Sequence, residues 1–148
     1  MNKKFIISII LVIILGIVSA KSVYSLSNSI NDKNLYYFLQ LGVYDDLGTL
    51  NHDTKNIDDK LVLKEDNNYY AYVGISKNKN NLNKISKLYS NLGYNLIIKN
   101  KKVINEEFKV NLEQFDKLLK STNDLEELKK IMAVVLSSYQ EMVINSSI

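Results

Sequence analysis

The chain has 148 residues, a formal charge of +3 and no cysteine, tryptophan or proline. That length holds about one domain, and without cysteine there are no disulfides and no thiolate metal sites. All 19 basic residues are lysine, and without Lys3 and Lys4 the balance against 16 acids falls to about +1, so the basic stripe that nucleic-acid phosphates require is missing and no nucleic-acid partner is expected.

The chain opens on a short positive flank ending at Lys4. Residues 5–20 are then apolar apart from Ser8 and Ser19. Two readings stand. As an uncleaved anchor, this run spans about 24 Å at 1.5 Å per residue. That is short of a hydrocarbon core of about 30 Å, and Lys4 and Lys21 would snorkel to close the gap. As a signal peptide, it would be cut after Val18-Ser19-Ala20, where small residues stand. Either way the lysines ahead of the run keep the N-terminus cytoplasmic and export the rest. The domain is then held at the cell membrane by a single pass, or secreted if cleaved after Ala20. Residues 21–34, rich in Ser and Asn, read as a tether.

Residues 36–44, YYFLQLGVY, read as the first strand. Strand alternation points Leu39, Leu41 and Val43 one way and Phe38, Gln40 and Tyr44 the other. Residues 45–58 are the least regular, with a short helix turning Leu47 and Leu50 inward. Residues 60–64, KLVLK, alternate as a strand, and EDNN at 65–68 is a turn signal. Residues 69–75, YYAYVGI, complete a hairpin. Here Ala71 and Val73 face inward and Tyr70 and Tyr72 outward. Gly42 and Gly74 lie about 32 residues apart, each preceded by an aliphatic residue, roughly one β-α-β unit.

Asn80 or Asn81 caps a helix running to Leu92, with Leu82, Ile85, Tyr89 and Leu92 as its apolar stripe. Gly93 stops it. Residues 94–98, YNLII, form the next strand, ended by residues 100–102. The tail is helical. Phe108, Leu112, Phe115 and Leu119 form one stripe. After a capping-box-like start at Asn123 with Glu126, Leu125, Leu128, Met132, Val135, Tyr139 and Met142 form another. The two helices make a hairpin.

This order of elements carries a resemblance. Leu39-Gln40-Leu41-Gly42-Val43-Tyr44 resembles the opening strand of the SPOR domain, the sporulation-related repeat that binds peptidoglycan. Tyr70-Ala71-Tyr72-Val73-Gly74 resembles the family's aromatic strand ending in Val-Gly. Gly93-Tyr94 resembles the pair that closes its second helix. The match covers residues 35–100. It implies an α+β fold, a four-stranded antiparallel sheet with helices on one face (βαββαβ, RNP/ferredoxin-like). To this the chain adds an N-terminal transmembrane helix and a C-terminal helical hairpin. The resulting divisions are 1–20 anchor or signal, 21–34 tether, 35–104 SPOR-like domain and 105–148 hairpin. In that family the open sheet face binds glycan strands stripped of stem peptides. Among Gram-positive sporulators, short membrane-anchored members act at sporulation and cell-division septa. Three departures stand out: a poorly formed first helix, Tyr70 and Tyr72 where the third strand often has a basic residue, and the extra hairpin.

Phe38, Gln40, Tyr70 and Tyr72 would then form the glycan platform. Rings stack on sugars, and an amide both donates and accepts. The alternative is an exported interaction protein whose C-terminal helices cover that face and meet a protein partner, with no glycan bound. No enzyme, metal or cofactor is expected. His52 is the only histidine and sits in a polar loop beside Asp53. The pairs Asp58-Asp59 and Glu106-Glu107 are sequence neighbours that diverge, so they make no acid–base couple. No nucleophile triad order, Walker loop or phosphate cradle occurs.

Overall fold

The computed structural model describes residues 34–145. The apolar run, the tether and residues 146–148 lie outside the described residues, and with them the anchor and cleavage expectations. No helix among the described residues is long and apolar enough to cross a membrane.

The elements follow in the order β1 (Leu35–Tyr44), α1 (Leu47–Asp53), β2 (Leu61–Glu65), β3 (Asn68–Ser76), α2 (Lys79–Ser90), β4 (Ile97–Lys102), α3 (Glu106–Ser121) and α4 (Leu125–Asn145). The fold is α+β, with one four-stranded antiparallel sheet ordered β2-β3-β1-β4. β1-α1-β2 and β3-α2-β4 are two split β-α-β units, each receiving a strand of the other between its own two. The spacing of Gly42 and Gly74 is the period of this repeat. Leu39 stands opposite Gly74, and Gly42 opposite Ala71. Each glycine therefore faces the residue three places before the other.

Between those pairs the register slips twice, skipping Val73 and then Leu41. An extra residue in one strand changes which face the following side chains take. Plain alternation therefore fails beyond Gln40. Val43 pairs with Tyr70 and is 46% exposed instead of facing α1 and α2. Tyr44 turns back over Gly42, where an added Cβ would stand 2.6 Å from its hydroxyl oxygen.

α2 buries Leu82, Ile85, Leu88 and Tyr89. Its N-cap is Asn78, whose side chain accepts from the Asn80 N–H. The expected caps lie too late, because the buried Asn81 amide donates instead to the Asp116 main-chain and carboxylate oxygens. The helix ends at Ser90 with Asn91 as its C-cap, two residues before the expected end at Leu92, and Gly93, at φ +88°, takes the left-handed turn that follows. The Tyr94 N–H then reaches the Tyr89 carbonyl. That closure uses residues 94–96 as a connector, so β4 starts at Ile97, Leu92 is left exposed, and residues 100–102 belong to the strand. Three lysines on β4 guard this edge of the sheet against pairing with another chain. In α1 only Leu50 is buried; Leu47 is exposed.

Gly74 lies under α2. A Cβ there would meet Leu82 Cδ2 at 2.9 Å and Leu39 Cβ at 3.3 Å. Gly74→Val is expected to cost about 1–3 kcal/mol through overpacking. An unchanged midpoint in urea unfolding would count against this close approach.

Tyr89 supplies a pH test. Burial, with Asp59 nearby adding to it, pushes its hydroxyl up to about 12. The unfolded chain releases that proton near pH 10, so stability is full below pH 10 and falls as pH rises from 10 to 12. The loss is on the order of 2 kcal/mol. Melting temperatures recorded from pH 9 to 12 should fall more steeply for wild type than for Tyr89→Phe.

The hairpin corrects the expected layering. Helices lie on both faces of the sheet, not one. α1 and α2 cover the face of Leu39 and Gly74. α3 and α4 pack against the other, where the Tyr139 ring meets Phe38 at 5.2 Å between centroids. β2 pairs with β3 only as far as Tyr72. Beyond it the Ile75 N–H donates to Met132 Sδ at 3.3 Å. α4 is capped by Asp124, one residue later than expected, with the Glu127 N–H on its carboxylate. Leu125 is exposed, outside the buried stripe. The hairpin is tied back to α2 as well. The Lys84 ammonium donates to the carbonyls of Leu119, Lys120 and Thr122 at the end of α3. Sheet, α2 and hairpin share one apolar core.

Candidate functional site

Phe38 and Gln40 on β1, with Tyr70 and Tyr72 on β3, do share one face of the sheet. Gln40 pairs with Tyr72, and Phe38 with Ile75. They are not open to solvent. Phe38 is 0% exposed, Tyr72 1% and Gln40 7%, and Tyr70 is half-buried. The expectation of an open platform is corrected here. The physical reason lies in α4, whose apolar stripe needs a surface to bury, and this face supplies it.

The rings interlock. Phe38 meets Tyr72 edge-on at 5.5 Å, and Tyr139 stands edge-on to both Phe38 and Phe108, at 5.2 and 5.1 Å. This aromatic run links β3, β1, α4 and α3, in a geometry that ring quadrupoles favour. Tyr70 lies parallel to Tyr72 at 6.5 Å. The Lys101 ammonium sits 5.1 Å from the Tyr72 ring centre and 5.7 Å from that of Tyr70. It also pairs with Glu65. Lys101 is on β4 and Glu65 on β2, so this pair bridges the two edge strands across the face.

The electrostatics follow from burial. Burial raises the Tyr72 hydroxyl above its ordinary range, with Lys101 opposing. Burial also raises Tyr139. For Lys101, burial works against the charge, but contacts with Glu65 and Tyr72 outweigh it and the ammonium is held above its usual range. Tyr72 and Tyr139 are therefore neutral and Lys101 charged at neutral pH, and the ammonium clamps the rings to the far edge of the sheet.

Lys101, Glu65 and Tyr139 were missed in the sequence. Residues 100–102 read there as the end of a strand, which hid the alternation that puts Lys101 opposite Tyr36. Elsewhere, His52 is exposed, with its Nδ1 3.0 Å from Asp53 Oδ1. Among the described residues no group of three His, Cys, Asp or Glu side chains is placed to hold a metal ion.

The chain matches no protein-family model and no curated protein. Among solved structures it is similar to the solution structure of the peptidoglycan binding domain of the B. subtilis cell wall lytic enzyme CwlC. The identity is 19% and the TM-score 0.42, over 54% of this chain and 100% of that one.

Proposed function

We propose that this chain is a non-catalytic interaction protein, exported from the cytoplasm, whose sheet carries a permanent helical cover and binds a protein partner through that cover. The observation that carries this reading is the burial of Phe38 and Tyr72 on the sheet face where the α4 ring of Tyr139 packs against Phe38. The hairpin is not a lid that a glycan could lift. α3 and α4 bury ten apolar side chains between them. Fully burying a large one is worth about 1.5–3 kcal/mol, against about 5–15 kcal/mol for the net stability of a whole domain. A chain with this face opened would be an unfolded chain.

A second reading, binding of peptidoglycan glycan strands, is favoured by one observation. Tyr70 keeps part of its ring at the surface, beside the exposed Val43 that it pairs with. The SPOR-like strands support it as well, and with them a place at a septal wall. The experiment is co-sedimentation of the full chain with peptidoglycan stripped of stem peptides. On the first reading the chain stays in the supernatant. Pelleting that is lost in Tyr70→Ala, with the melting temperature retained, decides for the second.

A further inference from the structure

On their outward side α3 and α4 frame a groove of about 710 Å³. Phe108 and Phe115 form its floor, and Val134 and Met142 belong to its α4 wall. Asn111 also lines it. That residue is only 9% exposed and makes no side-chain hydrogen bond among the described residues, so its amide is left to the solvent of the groove. An asparagine in mid-helix disfavours the helix, and nothing in the packing of α3 uses its polar atoms.

Charge fixes the character of the occupant. Glu107 and Glu141 both line the groove, where no basic residue stands. Neither carboxylate has an ion-pair partner among the described residues; the nearby Lys109 is engaged by Glu106 and Asn34. α1, α2 and α3 each carry a basic residue in their last turn, His52, Lys87 and Lys120, but α4 carries none. At this end of the groove the negative end of the α4 dipole lies beside the positive end of α3 and is offset by it, so the charge left there is that of the two carboxylates, with no cation among the lining residues.

We infer that this groove receives an amphipathic helix of a partner protein. A lysine or arginine of that helix sits against Glu107 and Glu141, and its apolar side chains lie along Val134 and Met142, the partly exposed apolar residues of the lining. The inference rests on the interaction-protein reading above. Two helices leave ridges that a third fits with side chains spaced three and four residues apart. The groove offers no strand edge for an extended peptide. Asn111 can donate to and accept from a polar side chain on the same partner helix.

The test uses the full chain in a zwitterionic detergent. The probe is a labelled, alanine-based helical peptide with leucines at that spacing and two arginines at one end. A second peptide has glutamates in place of the arginines. By fluorescence anisotropy the arginine peptide should bind at micromolar concentrations and the glutamate peptide at least tenfold more weakly. Glu107→Gln with Glu141→Gln should weaken the arginine peptide about tenfold, and Ser138→Arg should abolish binding by filling the groove. Failure of the arginine peptide to bind overturns the inference. So does equal binding of both peptides, or indifference to the glutamine changes. Self-association of the full chain that Ser138→Arg abolishes also overturns it, because the occupant is then a second copy. The wall assay is independent of these outcomes. Pelleting with stripped wall that Tyr70→Ala abolishes sinks the interaction-protein reading itself, whereas a silent peptide beside a negative wall assay sinks only the groove.

Discussion

Phe38→Ala is expected to destabilise the protein by about 3–5 kcal/mol, the range for removing a fully buried aromatic ring. Phe38 is 0% exposed, and its ring stands between Tyr72 and Tyr139. Its loss leaves a cavity at the joint of sheet and hairpin, and two edge-on ring contacts go with it. Tyr72→Ala should fall in the same range, because that ring is 1% exposed and carries Lys101 beside it. Had these rings formed an open platform, both changes would have spared stability. Chemical denaturation read by tyrosine fluorescence measures the difference. A loss below about 1 kcal/mol for both variants would mean that α4 does not cover the face in solution.

Ending the chain after Ile104 is expected to abolish folding altogether. The repeat of two split β-α-β units would remain complete, and sequence reasoning treats residues 35–104 as a domain of their own. Yet the shortened chain would bare Tyr36, Phe38, Tyr72 and Ile75, all essentially buried in the whole protein. It would also free the Lys84 ammonium from the three carbonyls that hold it. The Ser76 hydroxyl and the Lys77 N–H would lose the Asp116 carboxylate. A large exposed apolar face without a partner drives aggregation. The shortened chain should show no cooperative melting transition and should bind a hydrophobic dye. A sharp transition with a flat dye response would restore the hairpin to the status of an appendage.

Much of this architecture was legible in the sequence. The alternation around Tyr70 and Tyr72, the EDNN turn and the stripe Phe108, Leu112, Phe115 and Leu119 each fix a local geometry that the tertiary structure keeps. Asp66, at φ +54°, takes the left-handed turn conformation that its short polar side chain tolerates. What was not legible is non-local. No residue-by-residue pattern reveals that the register skips Val73 and Leu41, since a bulge is a relation between two strands. The fate of the candidate site was hidden for the same reason. A ring on an open face and a ring under a helix have the same alternation, and only the pairing of Phe38 with Tyr139 separates them. In the sequence Lys101 reads only as part of the segment that ends a strand, because the carboxylate that engages it is on the far edge of the sheet.

The contact between Phe38 and Tyr139 also sets a clock. About 100 residues separate two rings that touch, and closing a loop of that length carries an entropic cost that pairing within the sheet only partly offsets. The core cannot be completed until α4 is available. Until then β1, the central strand, waits with one face bare. Folding should therefore be a late event in the life of each chain, on the millisecond-to-second scale of proteins built from distant pairings. A chain in that waiting state is both extended enough to be moved through a narrow passage and sticky enough to need shielding on the way.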